Sequence, residues 1–261
     1  MGKIIALVNQ KGGVGKTTSS INLAASLGVL KRRVLLVDLD PQGNASTGIG
    51  IDKSTIKKSI YDLLLDNAEL SEAIIKTKFK NLYVIPATIN LAGADIELME
   101  KSRYEPGFSK GGQLKKYLSQ AKEMFDYIII DCPPSLGLLT INAFTASNSL
   151  LIPIQCEYYA LEGVGQLINT VNLVRKQLNK TLYIEGVVLT MNDARTNLSN
   201  QVIKEVKTYF KDNVYKTIIP RNVKLSEAPS FGMPITVYAP KSKGARCYEK
   251  LTNEIIKGTR K

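Results

Sequence analysis

Eight residues near the start of the chain, Lys11-Gly12-Gly13-Val14-Gly15-Lys16-Thr17-Thr18, have the types and spacing of a phosphate site. Three glycines in four positions let backbone N–H groups curl around anionic oxygens with no Cβ in the way. The apolar run Ile4-Ile5-Ala6-Leu7-Val8 comes before them and a segment of helical pattern follows. That strand, turn and helix order is the setting in which such a loop works, with the positive end of the helix facing the anion. Lys16 would then reach the β- and γ-phosphates of a nucleotide, and the Thr17 hydroxyl would ligate Mg²⁺. Lys11 is the unusual member. A lysine ahead of the glycines is poorly placed for the loop's own phosphates; it could reach a neighbour's across a dimer, or simply be solvated.

Two more apolar runs end in aspartates. Val34-Leu35-Leu36-Val37 leads into Asp38-Leu39-Asp40-Pro41-Gln42-Gly43-Asn44, and Tyr127-Ile128-Ile129-Ile130 leads into Asp131-Cys132-Pro133-Pro134. Short continuous apolar runs are the mark of strands buried on both faces of a parallel sheet. Such sheets bind ligands beyond the carboxyl ends of their strands. Asp131 fits the carboxylate that backs a phosphate-bound Mg²⁺. Asp40 fits a group that orients or deprotonates the attacking water. Asp38 could support Mg²⁺ through water.

To bring these strand ends together the chain must alternate strands and helices. Further strands are expected at Leu82–Pro86, Leu150–Ile154 and Tyr183–Met191. Helices are expected over 91–101, 112–122, 160–178, Leu198–Phe210 and Ser242–Lys257, with loops at Ser102–Gly112 and Pro220–Pro240. Residues 45–120 are the least legible stretch. The alternation, with no compositional break, predicts an α/β fold: one doubly wound, mostly parallel sheet with helices on both faces, in a single domain over residues 1–261.

Composition narrows the function classes. No apolar run approaches 18 residues, which argues against a membrane span, and the chain starts directly in a strand pattern rather than a signal peptide. Cysteines at 132, 156 and 247 form neither a disulfide framework nor a metal pattern, and there is no histidine. A reducing cytoplasm is the expected setting, with the thiols as small core residues. The net charge of +12 is uneven: residues 195–261 hold 14 Lys and Arg against 5 Asp and Glu. Such an excess argues for an anionic partner, nucleic acid or membrane.

Taken in order, KGGVGKTT, LLVDLDPQGN and YIIIDCPPSLG resemble the Walker A, A′ and B motifs of the ParA/MinD superfamily of deviant Walker A ATPases. The later IIPRNVKLSEAPSFGMPI is similar to the C-terminal segment of the chromosomal ParA branch called Soj. The resemblance runs across nearly the whole chain. It implies ATP and Mg²⁺ as cofactors, Lys11 reaching the dimer partner's nucleotide beside Gly12, and Lys16 and Thr17 on phosphate and Mg²⁺. It also implies Asp40 in hydrolysis and adenine held near Pro220 and Asn222, with Met191 or Asn192 close by. Arg195, Arg221 and Lys224, read as loop residues after late strands, fall where the family carries DNA-binding cations. The implied function is DNA segregation: an ATP-dependent homodimer binds double-stranded DNA non-specifically, and a ParB-like centromere-binding protein stimulates hydrolysis and release. The protein would be cytoplasmic and nucleoid-associated. The phosphate loop starts at residue 11, which leaves no room for the N-terminal helix-turn-helix arm of larger plasmid relatives and speaks against operator binding.

Two other readings compete. A MinD-like ATPase positioning division at a membrane surface would need a basic amphipathic tail. Tyr248, Leu251, Ile255 and Ile256 form an apolar face, read here as packed on the sheet with no membrane anchor. A nitrogenase-type reductase would need a cluster-binding cysteine pair, for which the three cysteines offer no convincing candidate.

Overall fold

A computed structural model describes residues 2–258. The strands are β1 (Lys3–Leu7), β2 (Val34–Asp38), β3 (Ile75–Lys76), β4 (Leu82–Ile85), β5 (Tyr127–Asp131), β6 (Ser149–Gln155) and β7 (Tyr183–Thr190). They form one sheet in the order β3-β4-β2-β5-β1-β6-β7, parallel except for β3 at one edge. The strand order places β5 between β2 and β1 although it follows β2 by some ninety residues of chain. That insertion brings the ends of β1, β2 and β5 side by side, with Asp38 in register with Asp131 and Asp131 with Leu7.

The period of two along each strand sorts the core into two halves. Ile4, Ala6, Leu35, Val37, Ile128 and Ile130 point to one side of the sheet; Ile5, Leu7, Val34, Leu36 and Ile129 point to the other. Helices α3 (Ile60–Leu64), α5 (Ala94–Tyr104), α6 (Gln113–Met124), α7 (Leu138–Ala146), α8 (Val164–Gln177) and α9 (Asn197–Phe210) cover the first side. The second side is covered by α1 (Lys16–Val29), α2 (Asn44–Gly48), α10 (Val223–Glu227), α11 (Ile235–Tyr238) and α12 (Lys243–Lys257). A four-residue helix, α4 (Leu70–Ala73), precedes β3.

Helix α1 lies between the sheet and α12 and is buried almost all round, so its polar residues must be satisfied internally. Ser20 donates to Asp131, Asn22 accepts from the Ile235 N–H, and Ser19 bonds the Tyr248 hydroxyl at 3.0 Å.

The elements differ from the sequence expectation in definable places. Helix α8 begins at Val164 rather than 160, because residues before it form turns and Gly163 adopts φ 77°. Helix α5 runs through Ser102–Tyr104, the first part of the expected loop. The expected loop over 220–240 contains α10 and α11, so Lys224 sits on a helix and not in a loop. Cys132 and Cys156 are buried as expected, whereas Cys247 is half-buried.

Candidate active site

The loop between β1 and α1 is shaped by two left-handed glycines, Gly13 at φ 73° and Gly15 at φ 85°. Gly15 is also the N-cap of α1 and offers no side-chain cap, which leaves the first N–H groups of the helix for an anion. Asn9 fixes the entry by accepting from the Lys11 N–H at 3.0 Å and donating to the Pro153 carbonyl at 2.7 Å. At the far side, the Thr190 hydroxyl donates to the Val14 carbonyl at 2.8 Å and ties the end of β7 to the loop.

Lys16 is buried, and its ammonium donates to the Lys11 carbonyl at 3.1 Å. Burial pulls its pKa below the ordinary lysine value, while Asp131, Cys132 and Asp40 oppose that shift. The ammonium is thus folded over the cradle, one hydrogen bond away from release. The Lys11 backbone serves its own loop; its side chain is half-exposed at the mouth. Beside it, a Cβ at Gly12 would meet nothing within 4 Å in this chain.

Asp131 is fully buried, with Oδ1 accepting from Ser20 at 2.8 Å and the Thr17 hydroxyl close enough to favour its ionised form. Oδ2 is buried with no formed hydrogen bond among the described residues. Burial, with Asp38 alongside, pushes Asp131 up to about 7. An unpaired buried carboxylate oxygen beside a threonine hydroxyl is a donor set suited to a hard divalent cation, so Thr17 and Asp131 fit the expected Mg²⁺. Asp38 is equally buried, and burial raises it to about 6, but its carboxylate is committed elsewhere. Oδ2 accepts from the Ser46 N–H at 2.8 Å and the Ser46 hydroxyl at 2.7 Å, and Oδ1 from the Asp40 N–H at 3.3 Å. Asp38 therefore holds the loop that carries Asp40. Half-exposed Asp40 in turn accepts from the Gln42 N–H at 2.9 Å, and the Gly43 N–H closes the turn on the Asp40 carbonyl at 2.8 Å.

A cavity of about 180 Å³ opens directly from the loop at Gly15 and Thr18. Met191, Pro220 and Asn222 line it, joined by Ile219, Leu225 and Tyr248. Apolar walls flanking a slot of this kind suit a purine ring. Asn192 lies behind the wall: its N–H donates to the Ile219 carbonyl and its carbonyl accepts from Arg221, while its buried Oδ1 has no partner among the described residues. Asn222 caps α10 by accepting from Leu225. Tyr248 and Thr190 are not legible in the sequence as site residues, because they enter from α12 and β7 and carry no local motif.

The chain's residues 2–184 match the family model described as an AAA domain. Over 255 residues it is 62% identical to the sporulation initiation inhibitor protein Soj of Bacillus subtilis, covering 98% of each chain. This chain belongs to the ParA/MinD superfamily, on its Soj/ParA branch. A second relative on that branch, the chromosome partitioning protein ParA of Myxococcus xanthus, is 52% identical over 98% of this chain and 89% of that one. Among solved structures, cobyrinic acid a,c-diamide synthase of Mycobacterium smegmatis, crystallised with an ATP analogue and magnesium, superposes with a TM-score of 0.87. It is 35% identical, over 98% of this chain and 95% of that one.

Of the three cations expected to meet DNA, Arg195 and Arg221 share Asp193, and Lys224 lies on α10 with its own partner. Arg195 forks onto Asp193 at 2.9 and 2.7 Å and holds that carboxyl well below the usual range. Arg221 also acts on Asp193, lines the 180 Å³ cavity and pairs with Glu157 at 2.9 Å. Lys224 pairs with Glu227 at 2.9 Å. All three are exposed, and exposed pairs of this kind contribute little and yield readily to a phosphate.

Proposed function

We propose that this ParA-branch protein is a Mg²⁺-dependent ATPase for chromosome or plasmid segregation. ATP closes a sandwich homodimer, the dimer binds double-stranded DNA without sequence preference, and a ParB-like centromere-binding protein stimulates hydrolysis and release. The observation that carries this reading is the pairing of a built phosphate cradle with the spare Asp131 oxygen behind it. Bound Mg²⁺ would neutralise charge on the phosphates. Within the chain, Lys16 exchanges the Lys11 carbonyl for phosphate oxygens, and the first N–H groups of α1 bind beside it. The 180 Å³ slot orients the base, and Asp40, held by Asp38 and Gln42, takes the proton of the attacking water. Lys11 acts across the dimer. On α12, Tyr248, Leu251 and Ile255 are buried, which leaves no apolar face for a MinD-like hold on lipid. DNA binding measured without nucleotide, with ADP and with ATP tests the switch, and equal binding in all three states rejects it.

Gly12 gives a sharper test of the dimer. Because nothing in its own chain lies within 4 Å of a Cβ there, Gly12→Val should fold and bind ATP normally. In a face-to-face dimer the loop mouths pack together, so the variant should remain monomeric in ATP on size-exclusion chromatography. Normal dimers would count against the sandwich and against the role given to Lys11.

The DNA face can be tested by charge reversal. Arg195→Glu or Lys224→Glu should abolish DNA binding while ATP-driven dimerisation survives. Wild-type binding should fall steeply with salt, log K dropping by roughly 0.9 per neutralised phosphate per unit of log[salt]. Binding that ignores salt between about 50 and 200 mM would contradict phosphate neutralisation.

A further inference from the structure

Helix α12 carries a line of cations that the proposed ATPase cycle does not use. Lys243, Arg246, Lys250 and Lys257 recur at spacings of three, four and seven residues and are all exposed. At 1.5 Å per residue they run along the helix for roughly 21 Å. Unlike Arg195, Arg221 and Lys224, none of them makes an ion pair among the described residues. The helix also carries two carboxylates, Glu249 away from the open groove beside the stripe and Glu254 on its wall. Glu249 lines a separate groove with Val29 and Leu30, and Glu254 accepts from the Lys216 N–H at 2.9 Å and from the Thr217 N–H and hydroxyl. The open groove measures about 550 Å³, and its walls include Lys216, Lys250 and Lys257, together with Glu254, whose carboxylate is taken up by the Lys216 and Thr217 N–H groups. Lys216 is exposed and comes from outside α12, so cations from two segments of the chain face the groove.

We propose that the α12 stripe, with Lys216, is a phosphate-binding surface that extends the DNA footprint from Lys224 along the whole helix. The first turn of α12 abuts α10, where Gly244 fits so closely against Leu225 that a Cβ would come within 2.8 Å of it. Lys224 and Lys243 therefore belong to neighbouring elements of one surface. The partner is nucleic-acid backbone and not lipid, because the helix's large apolar residues Tyr248, Leu251 and Ile255 are buried in the core and the stripe itself presents only cations. A duplex presents about one negative charge per 1.7 Å of axis, so a row of cations roughly 21 Å long meets enough phosphates to bind without reading bases.

This inference rests on the DNA-binding reading, and the test separates the two. Binding of the ATP-bound protein to a mixed-sequence duplex is measured against salt for wild type, Lys250→Glu/Lys257→Glu, and a control, Lys115→Glu/Lys176→Glu. The control changes charge equally on exposed positions of α6 and α8, across the sheet. The stripe variant should bind at least about tenfold more weakly, with a salt slope shallower by roughly 0.9 for each phosphate no longer neutralised. The control should stay near wild type, and ATP affinity and dimerisation should be unchanged in both. If wild type binds DNA and the stripe variant binds with the same affinity and slope, the proposal fails alone. If the control weakens as much as the stripe variant, general charge and not this face is responsible, which also overturns it. A wild type that does not bind the duplex overturns both readings. A parallel arm with vesicles of phosphatidylserine and phosphatidylcholine decides the partner class: if the stripe variant fails on vesicles yet keeps its hold on DNA, the face belongs to lipid and the proposal is wrong.

Discussion

Lys16→Ala is expected to lower ATP affinity by at least about 100-fold, near 2.7 kcal/mol, because the variant loses a buried ammonium that meets phosphate. The fold should survive. The only hydrogen bond of the side chain among the described residues is to the Lys11 carbonyl, at the rim of the loop where water can replace it. Calorimetry of ATP binding with and without Mg²⁺, beside a thermal melt of the nucleotide-free protein, checks both halves. Unchanged ATP affinity would remove Lys16 from the site. A collapsed melt would mean the lysine instead compensates buried Asp131 in the resting fold.

Asp40→Ala should have the opposite profile, with ATP still bound, dimers still formed, and turnover reduced by about 10²–10⁴-fold, the usual contribution of a general base. The trapped dimer should then remain on DNA. The geometry supports retention of the loop: the Gly43 N–H bonds the Asp40 backbone carbonyl, and the Asp38–Ser46 pair anchors the segment independently. What alanine removes is the side-chain bond to the Gln42 N–H. Asp40→Asn keeps an acceptor for that bond but not the base. If asparagine restores turnover, the residue shapes the loop; if both variants are slow, proton transfer is its task. A variant that stays monomeric in ATP would also make Asp40 structural.

The parts of this site that can be read from sequence are those carried by contiguous stretches. A glycine-rich turn after a strand and an aspartate after three isoleucines each need only a few neighbours to declare their geometry. The strand pattern puts Asp38, Asp40 and Asp131 at ends that the sheet does bring together. The commitment of Asp38 to Ser46 is not legible, since a carboxylate near a phosphate loop looks the same whether it faces a metal or a serine. Tyr248 reads only as part of an apolar helix face; its hydroxyl meets Ser19 across 229 residues, which no local pattern can express. The short helices between 44 and 73, and α10, are set by caps such as Ser59 and Asn222 within runs too brief for periodicity to register. For the same reason the pattern around Lys224 reads as loop.

The open space around Gly12 has a genetic consequence. Nothing in the chain lies within 4 Å of a Cβ at Gly12, so under the proposed sandwich dimer a substitution there should be felt at pairing and not in the fold. A Gly12→Val subunit made beside normal subunits would bind ATP, fail to pair, and leave normal dimers intact, behaving as a recessive allele. An Asp40→Ala subunit would pair with normal partners and hold them in slow complexes, behaving as a dominant one. Two substitutions in neighbouring loops of one site would thus be told apart by co-expression with the wild type, before any enzyme is purified.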